Sequence, residues 1–255
     1  MSKTLAFIYG IIAYALFLVS FVYAIGFVGN FVVPKSVDSG RVVGTWTALI
    51  IDAVLLTLFA VQHSGMARRG FKRWLTRFIP EPIERSTYVL CASVILLLLY
   101  ALWRPVPSAI WNVSAATGVA VLWALFALGW AIVLLSTFMI GHFDLFGLKQ
   151  VWLNATGRAS SADEFRMPAF YRIVRHPLMV GFLIAFWATP FMSAGHLLFS
   201  IATTGYILIA VQLEERDLVA VHGEEYLRYR REVPAFVPLS KRAASARAEA
   251  STRGA

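Results

Sequence analysis

Long apolar blocks constrain this chain more than any other feature. The run Leu5–Val28 contains no charged residue, and comparable blocks recur along the sequence. About 20 apolar residues in helical form match the hydrocarbon thickness of a bilayer, where a helix satisfies its own backbone. Six blocks read as spans: roughly Leu5–Val28, Gly44–Gln62, Thr87–Trp103, Gly118–Ile140, Leu178–Met192 and His196–Leu213. The first is too long for a signal peptide and has no small-residue cleavage site after it, so it reads as a retained span. The fifth is only 15 residues, Pro190 is placed to kink or end it, and only Ser193-Ala194-Gly195 separates it from the sixth. The expectation is an all-α polytopic transmembrane bundle of about six membrane helices, or five if the 178–213 hairpin is re-entrant.

Composition agrees. Hydrophobic residues make up 59% of the 255, against 15% charged, where soluble domains have about 25% charged. The net charge of +9 does not point to nucleic acid, because the basic residues follow a membrane pattern. With six spans, 20 of the 23 Lys and Arg fall on one side, in the N-terminal stub, the 63–86 loop, the 141–177 segment and the region after 213. Only Lys35, Arg41 and Arg104 fall on the other. Positive loops stay inside, so both termini are expected in the cytoplasm, and a re-entrant hairpin would not change their side. Residues 1–239 read as one membrane domain. The tail 240–255 has no large apolar residue and is expected to be a disordered basic segment.

Several polar residues sit where lipid is expected. Asp52 lies in LIIDAVLL, inside the second span. It reads either as a helix–helix hydrogen bond or as a functional group. Asp52, Leu56, Phe59 and His63 share one helical face, with His63 at its cytoplasmic end. His142 and Asp144 follow the fourth span in GHFDLFGLKQ, which reads as an interfacial segment, either a membrane-surface anchor or part of a site. The single cysteine, Cys91, allows no intrachain disulfide. No zinc-type spacing, dinucleotide fingerprint or phosphate-binding loop is present, so no metal is expected.

The most informative stretch is YRIVRHPLMVG at 171–181. It is followed by EERDL at 214–218 and HGEEYLRYRREVPAFVPL at 222–239. Locally, Pro177 opens the fifth span, where its missing N–H costs little. Glu214, Glu215 and Asp217 read as caps at the end of the sixth. Glu224 with Arg228, and Glu225 with Tyr229, are helical neighbours. Each part alone reads as a solvated helix face.

Together, the R-H-P-x-x-x-G element, the acidic pair and the G-x-x-Y-x-x-Y close followed by V-P resemble the isoprenylcysteine carboxyl methyltransferase superfamily of membrane enzymes. This pattern covers about the last 85 residues. Members usually carry tyrosine two residues after the proline, where this chain has Met179. The segments FAVQHSGMARRGFKRW, ERSTYVL and GHFDLFGLKQVWL are similar to the bacterial methanethiol S-methyltransferases and, more distantly, to NnrU-like proteins. They extend the resemblance over most of the chain.

The resemblance implies S-adenosyl-L-methionine as cofactor, a small thiol as acceptor, and a cytoplasmic C-terminal helix closing the cofactor pocket in a bacterial inner membrane. This cofactor has no phosphate and needs no glycine-rich cradle. The RHP element, with His176 and Pro177, falls among the cofactor-binding residues. Arg172 or Arg175 is expected to meet the carboxylate, and Glu214 or Glu215 the amino group or ribose. Tyr226 and Tyr229 are expected to close the adenine side. His63 and His142 are candidate bases, with Asp144 able to orient either. Three other readings share these features: a methyltransferase for a prenyl-cysteine or lipid, an NADPH-dependent membrane reductase using the basic 68–77 loop, and a non-enzymatic accessory protein.

Overall fold

The computed structural model describes residues 1–159 and 168–238; the expected disordered tail lies outside them. Five helices are long and apolar enough to cross a membrane: α1 Lys3–Gly29, α2 Thr45–Ala67, α4 Glu84–Leu102 with the 3-10 turn before it, α5 Ala116–Met139 and α9 Ala194–His222. Shorter helices are α3 Arg69–Leu75, α6 His142–Leu145, α7 Leu148–Thr156, α8 Pro177–Trp187 and α10 Glu224–Glu232. Two short strands, β1 Ala109–Asn112 and β2 Phe191–Ser193, pair antiparallel. The protein is an all-α polytopic helical bundle.

The hydrophobic sequence periodicity is weak because these helices are apolar all round, as lipid-facing helices are. Their ends carry the local signals. Ser2 caps α1 by accepting from Leu5 N at 3.2 Å, and Asn30 ends it in the left-handed conformation. The main core joins Phe27, Leu55, Leu99, Tyr100, Trp103, Phe126, Trp130 and Phe199. At one end, the loop after α1 folds over this core. Val37 is fully buried, donates its N–H to Phe27 O and accepts from Trp103 Nε1.

The fifth crossing departs from a plain helical span. The helix stops at Trp187 instead of reaching Met192, because Pro190 supplies no N–H and restricts the residue before it. Eleven residues of helix rise roughly 16 Å, about half of a bilayer core. The extended residues after it complete the path. Val113 N donates to Pro190 O and Ala194 N to Ser108 O, at the end where α4 stops and α5 begins. Pro177, by contrast, starts beside Glu215 near the far end of α9. The chain therefore passes from one end of the bundle to the other between Pro177 and Ser193, and returns through α9. The segment thus runs the length of the bundle beside the five long helices, and the chain traverses the bundle six times.

The glycine of the R-H-P-x-x-x-G element explains how so short a helix is held. A Cβ on Gly181 would lie 2.7 Å from Gly129 O and 2.8 Å from Val133 N, and one on Gly129 would lie 2.7 Å from Ala185 N. The α5 and α8 backbones thus touch directly, the close approach that small residues permit between membrane helices. With six crossings, the N-terminus, the α2–α4 connection, α6, α7 and α10 gather at one end. Arg68 at the end of α2 meets Asp217 of α9 there at 3.0 Å. This basic end holds the proposed site.

Asp52 lies nearer the opposite end than its block suggested, about two turns into α2. It is fully buried, and its Oδ1 accepts the backbone N–H of Arg104 at 2.8 Å, just past α4. The helix–helix hydrogen bond is the role the structure gives it. Leu56, between Asp52 and His63, packs on the apolar core, so no continuous polar path joins them.

Candidate active site

Arg175, the first residue of the RHP element, is fully engaged. Its Nη2 and Nε lie 2.7 and 2.8 Å from Oε1 of Glu215. Its Nη1 donates to Arg230 O at 3.1 Å and also to Val233 O. The backbone N–H groups of Arg175 and His176 donate to Pro234 O and Ala235 O at 2.8 and 3.1 Å. Tyr229 donates its hydroxyl to Tyr171 O at 2.6 Å. Tyr226 is buried beside Tyr229, Leu218, Val219 and Val233. The motif is therefore a clip that fastens α10 and the V-P close onto the start of α8. The side chains of Arg175 and Glu215 are only 9% and 10% exposed, so the ion pair sits in a low-dielectric environment where loss of either partner is severe. Burial, with Glu215 adding to it and Arg175 opposing, pushes the Tyr229 phenol up to about 12. It stays a hydrogen-bond donor at neutral pH.

Glu214, its neighbour, is placed differently. The helix turn that buries Glu215 leaves Glu214 with 52% of its side chain exposed. His176 Nδ1 lies 3.7 Å away, and Tyr88, Tyr171 and Tyr226 are within electrostatic reach. Glu214 is thus half exposed within reach of three tyrosines, with acceptor capacity left over. Burial, reinforced by Glu214 and Tyr229, raises the Tyr171 phenol. Arg172, on the turn Ala169–Arg172, is exposed at the same end. Because α9 continues to His222, the acidic residues lie on the helix body and are not end caps.

His63 of α2 is partnered by Tyr88 of α4. The Tyr88 hydroxyl lies 2.9 Å from its Nε2 and 3.0 Å from its Nδ1. Phe59 stacks on the ring at 5.1 Å, and Tyr206 of α9 meets it edge-on at 6.4 Å. The Tyr206 hydroxyl bonds Ser64 at 3.1 Å. Arg85 sits over the Tyr88 ring at 5.3 Å and is anchored by Nε donating to Leu145 O at 2.8 Å. Lys72 of α3 is nearby. Its ammonium pKa is lowered, first by burial and then by Arg85, with Glu84 opposing.

His142 is held elsewhere, in a closed aromatic box. It is buried, stacks on Phe138 at 4.3 Å and meets Phe143 and Phe146 edge-on. Thr137 Oγ1 donates to Leu134 O, so it accepts from His142 Nδ1 at 2.8 Å. The other nitrogen, Nε2, then accepts from Tyr14 at 2.8 Å. Both nitrogens are occupied. Burial lowers its pKa. Asp144 orients neither histidine: its oxygens bond Lys149 Nζ and Gln150 Nε2, each at 2.7 Å. The interfacial segment thus serves to lock α6 and α7 in place.

The structure joins Arg175, His176, Glu215, Tyr226 and Tyr229 in the clip, and places Tyr88 within reach of both Glu214 and His63. It separates His142 and Asp144 from both. Sequence reasoning missed Tyr88, Tyr171, Tyr206 and Arg85. The only sequence signal for Tyr88 was its place in ERSTYVL, and nothing linked it to His63. A separate concavity of about 500 Å³ at the opposite end, lined by Asn30, Asp38, Trp123 and Phe191, is remote from these residues.

No family model matches the chain, and no solved structure matches it. Curated relatives do. The chain is 52% identical to the methanethiol S-methyltransferase of Crocosphaera subtropica over 238 residues, 93% of each chain. It is also 32% identical to pig nurim over 176 residues, 66% of each chain. To the methanethiol S-methyltransferase of Mycobacterium tuberculosis it is 58% identical over 238 residues, 93% of this chain and 98% of that one. A membrane bundle that aligns over nearly its whole length with these enzymes belongs to the methanethiol S-methyltransferase family.

Proposed function

We propose that this protein methylates methanethiol to dimethyl sulfide at its basic end, with S-adenosyl-L-methionine as donor and that end facing the cytoplasm. The observation that carries this is the near full-length identity to enzymes of that name. The side chains at this end support it chemically. Glu214 offers acceptors to an amino group or ribose hydroxyls, and exposed Arg172 offers a cation to a carboxylate. The rings of Tyr171 and Tyr206, both part-exposed, suit an adenine and a sulfonium, which aromatic faces attract. No phosphate cradle is needed. When bound, this donor supplies a methyl group on a positively charged sulfur.

The protein's residues then do three things. The Arg175–Glu215 clip holds α10 against the Tyr171 turn. His63 takes the thiol proton. The rings around it exclude water, so the sulfur lone pair is not lost to hydration, and positioning carries much of the remaining barrier. His63 is favoured over His142 as base because its two nitrogens share a single polar partner, Tyr88, whereas each nitrogen of His142 has a partner of its own. A small apolar thiol dissolves in the bilayer, which accounts for running this reaction among membrane helices.

The test is a headspace assay for dimethyl sulfide from membranes given methanethiol and S-adenosylmethionine. Transfer to methanethiol is expected. Transfer only to a prenyl-cysteine or lipid, or binding of NADPH in place of the donor, would overturn the assignment. Replacing His63 by Ala is expected to lower kcat by about 10²-fold or more. Full turnover at neutral pH would remove His63 as the base.

A further inference from the structure

We infer that α3 and the turn after it form a docking surface for the anionic phospholipid of the leaflet at the basic end. The surface consists of Arg69, Arg73 and Arg77 with Trp74 and Phe78, none of which the proposed reaction uses.

Covalent geometry puts this segment at the headgroups. The spanning helix α2 ends at Ala67 and α3 begins at Arg69. Only Arg68 lies between them, so the gap is at most about 7 Å of chain. Beyond α3 the chain returns through the 3-10 turn Glu81–Ile83 into α4, the next spanning helix. The segment is therefore tied to the bilayer surface at both ends.

Its side chains divide into two sets. Phe71 and Leu75 pack with Met66, Tyr88 and Val89 of the bundle. Lys72 lies within electrostatic reach of Arg85 and Glu84, and Arg68 pairs with Asp217. Arg69, Arg73, Trp74, Arg77 and Phe78 are exposed instead. Arg77 N donates to Trp74 O at 3.2 Å and Phe78 N to Leu75 O at 2.9 Å, which prolongs the helical turn past Leu75. The three arginines thus recur at four-residue steps along one side. Among the described residues they make no ion pair and no side-chain hydrogen bond. Trp74 is 48% and Phe78 71% exposed. Phe71, Trp74 and Phe78 form a row of rings, each 5.2 Å from the next, that leads outward from the core.

This combination matches an anionic lipid better than a soluble polyanion. A lipid phosphate accepts paired N–H groups from a guanidinium. The indole and phenyl rings settle at the level of the glycerol and upper acyl chains, an apolar layer that a free polyanion lacks. Each arginine near an anionic bilayer surface favours it by a factor of about 5. Three together, with no acidic partner on the protein, select anionic over zwitterionic lipid.

The test uses the full chain in nanodiscs with one reporter. A Cβ on Gly70 would meet nothing within 4 Å, so Gly70→Cys, with Cys91→Ala, carries a nitrobenzoxadiazole label on α3 without a clash. Quenching is compared for phosphatidylglycerol and phosphatidylcholine, each spin-labelled near the glycerol. Phosphatidylglycerol is expected to quench at about one-tenth the mole fraction or lower. Arg73→Gln should reduce this preference about fivefold. In Arg69→Gln/Arg73→Gln/Arg77→Gln the two lipids should quench alike within about twofold. Raising salt from about 0.05 to 0.5 M should weaken the preference with all three arginines present. Equal quenching by both lipids with the arginines intact, or a preference that survives the triple substitution, would overturn the inference. A label that responds to added heparin but not to lipid charge would assign the surface to a soluble polyanion and overturn it too. The assay reads no methyl transfer, so its outcome is independent of the reaction assigned above.

Discussion

Replacing Glu215 by Ala should release α10 without unfolding the bundle. The Arg175–Glu215 contacts are 2.7 and 2.8 Å long, with both side chains nearly buried. At an effective dielectric of about 20, such a separation gives a raw attraction of roughly 6 kcal/mol, offset in part by desolvation of both ions. Removing one partner of a buried pair costs about 3–5 kcal/mol, mostly because the other charge is left behind. The other contacts of α10 include the Tyr226–Tyr229–Val233 cluster, the Tyr229 hydroxyl, the Arg175 Nη1 bonds to Arg230 O and Val233 O, and the backbone bonds to Pro234 and Ala235. The loss therefore falls on docking of this helix, and the undocked population should rise by roughly two to three and a half orders of magnitude. Trypsin reports it directly, since Arg228, Arg230 and Arg231 lie on α10. Cleavage within α10, followed by mass spectrometry, should accelerate, while heat inactivation of the remaining bundle changes little. Glu215→Gln keeps the shape and one acceptor, so it should lie between Ala and wild type. Donor affinity should fall in the same order. Wild-type cleavage rate and donor affinity in Glu215→Ala would refute the clip.

Gly181→Ala places a methyl 2.7 Å from Gly129 O and should destabilise the enzyme in detergent by about 1–3 kcal/mol. Gly205→Ala, whose added Cβ would meet nothing within 4 Å, should be neutral or slightly stabilising; equal losses at both sites would refute backbone contact between α5 and α8. His142 is neutral in the fold and its pKa lies below the ordinary value because it is buried. The unfolded chain therefore binds the extra proton, and heat stability should fall as pH drops from about 7 toward 5. His142→Gln should flatten that slope; an unchanged slope would refute the neutral, doubly bonded ring. Asp52→Asn keeps an acceptor for the Arg104 N–H and should leave turnover within about twofold. Abolished turnover would show that the carboxylate charge, not the hydrogen bond, matters.

The residues that carry the resemblance in the C-terminal third fall, in the structure, into two different settings. R-H-P-x-x-x-G and the acidic pair are legible as a motif. Part of its reason is packing: Gly181 lets α8 lie on α5, and Arg175 fastens α10 through Glu215. Glu214 and Glu215 look equivalent in sequence. One residue of helical rotation, about 100°, puts Glu215 in the clip and leaves Glu214 half exposed. Similarly, GHFDLFGLKQ suggested a histidine–aspartate pair, yet Thr137 and Tyr14 take the histidine and Lys149 and Gln150 take the aspartate.

The sequence by itself determined the class of the protein, its apolar membrane blocks and the end where its basic residues gather. Those follow from block length and charge placement, which are one-dimensional properties matched against a bilayer of set thickness. Tertiary structure decided that the fifth crossing is half helix and half extended chain, and that Tyr88 partners His63. It also decided that Asp52 anchors the end of α4. A buried polar group must find a hydrogen-bond partner, but which one depends on which helices lie side by side. The pairs that matter here are 25, 40 and 128 residues apart, and no local pattern encodes such pairings.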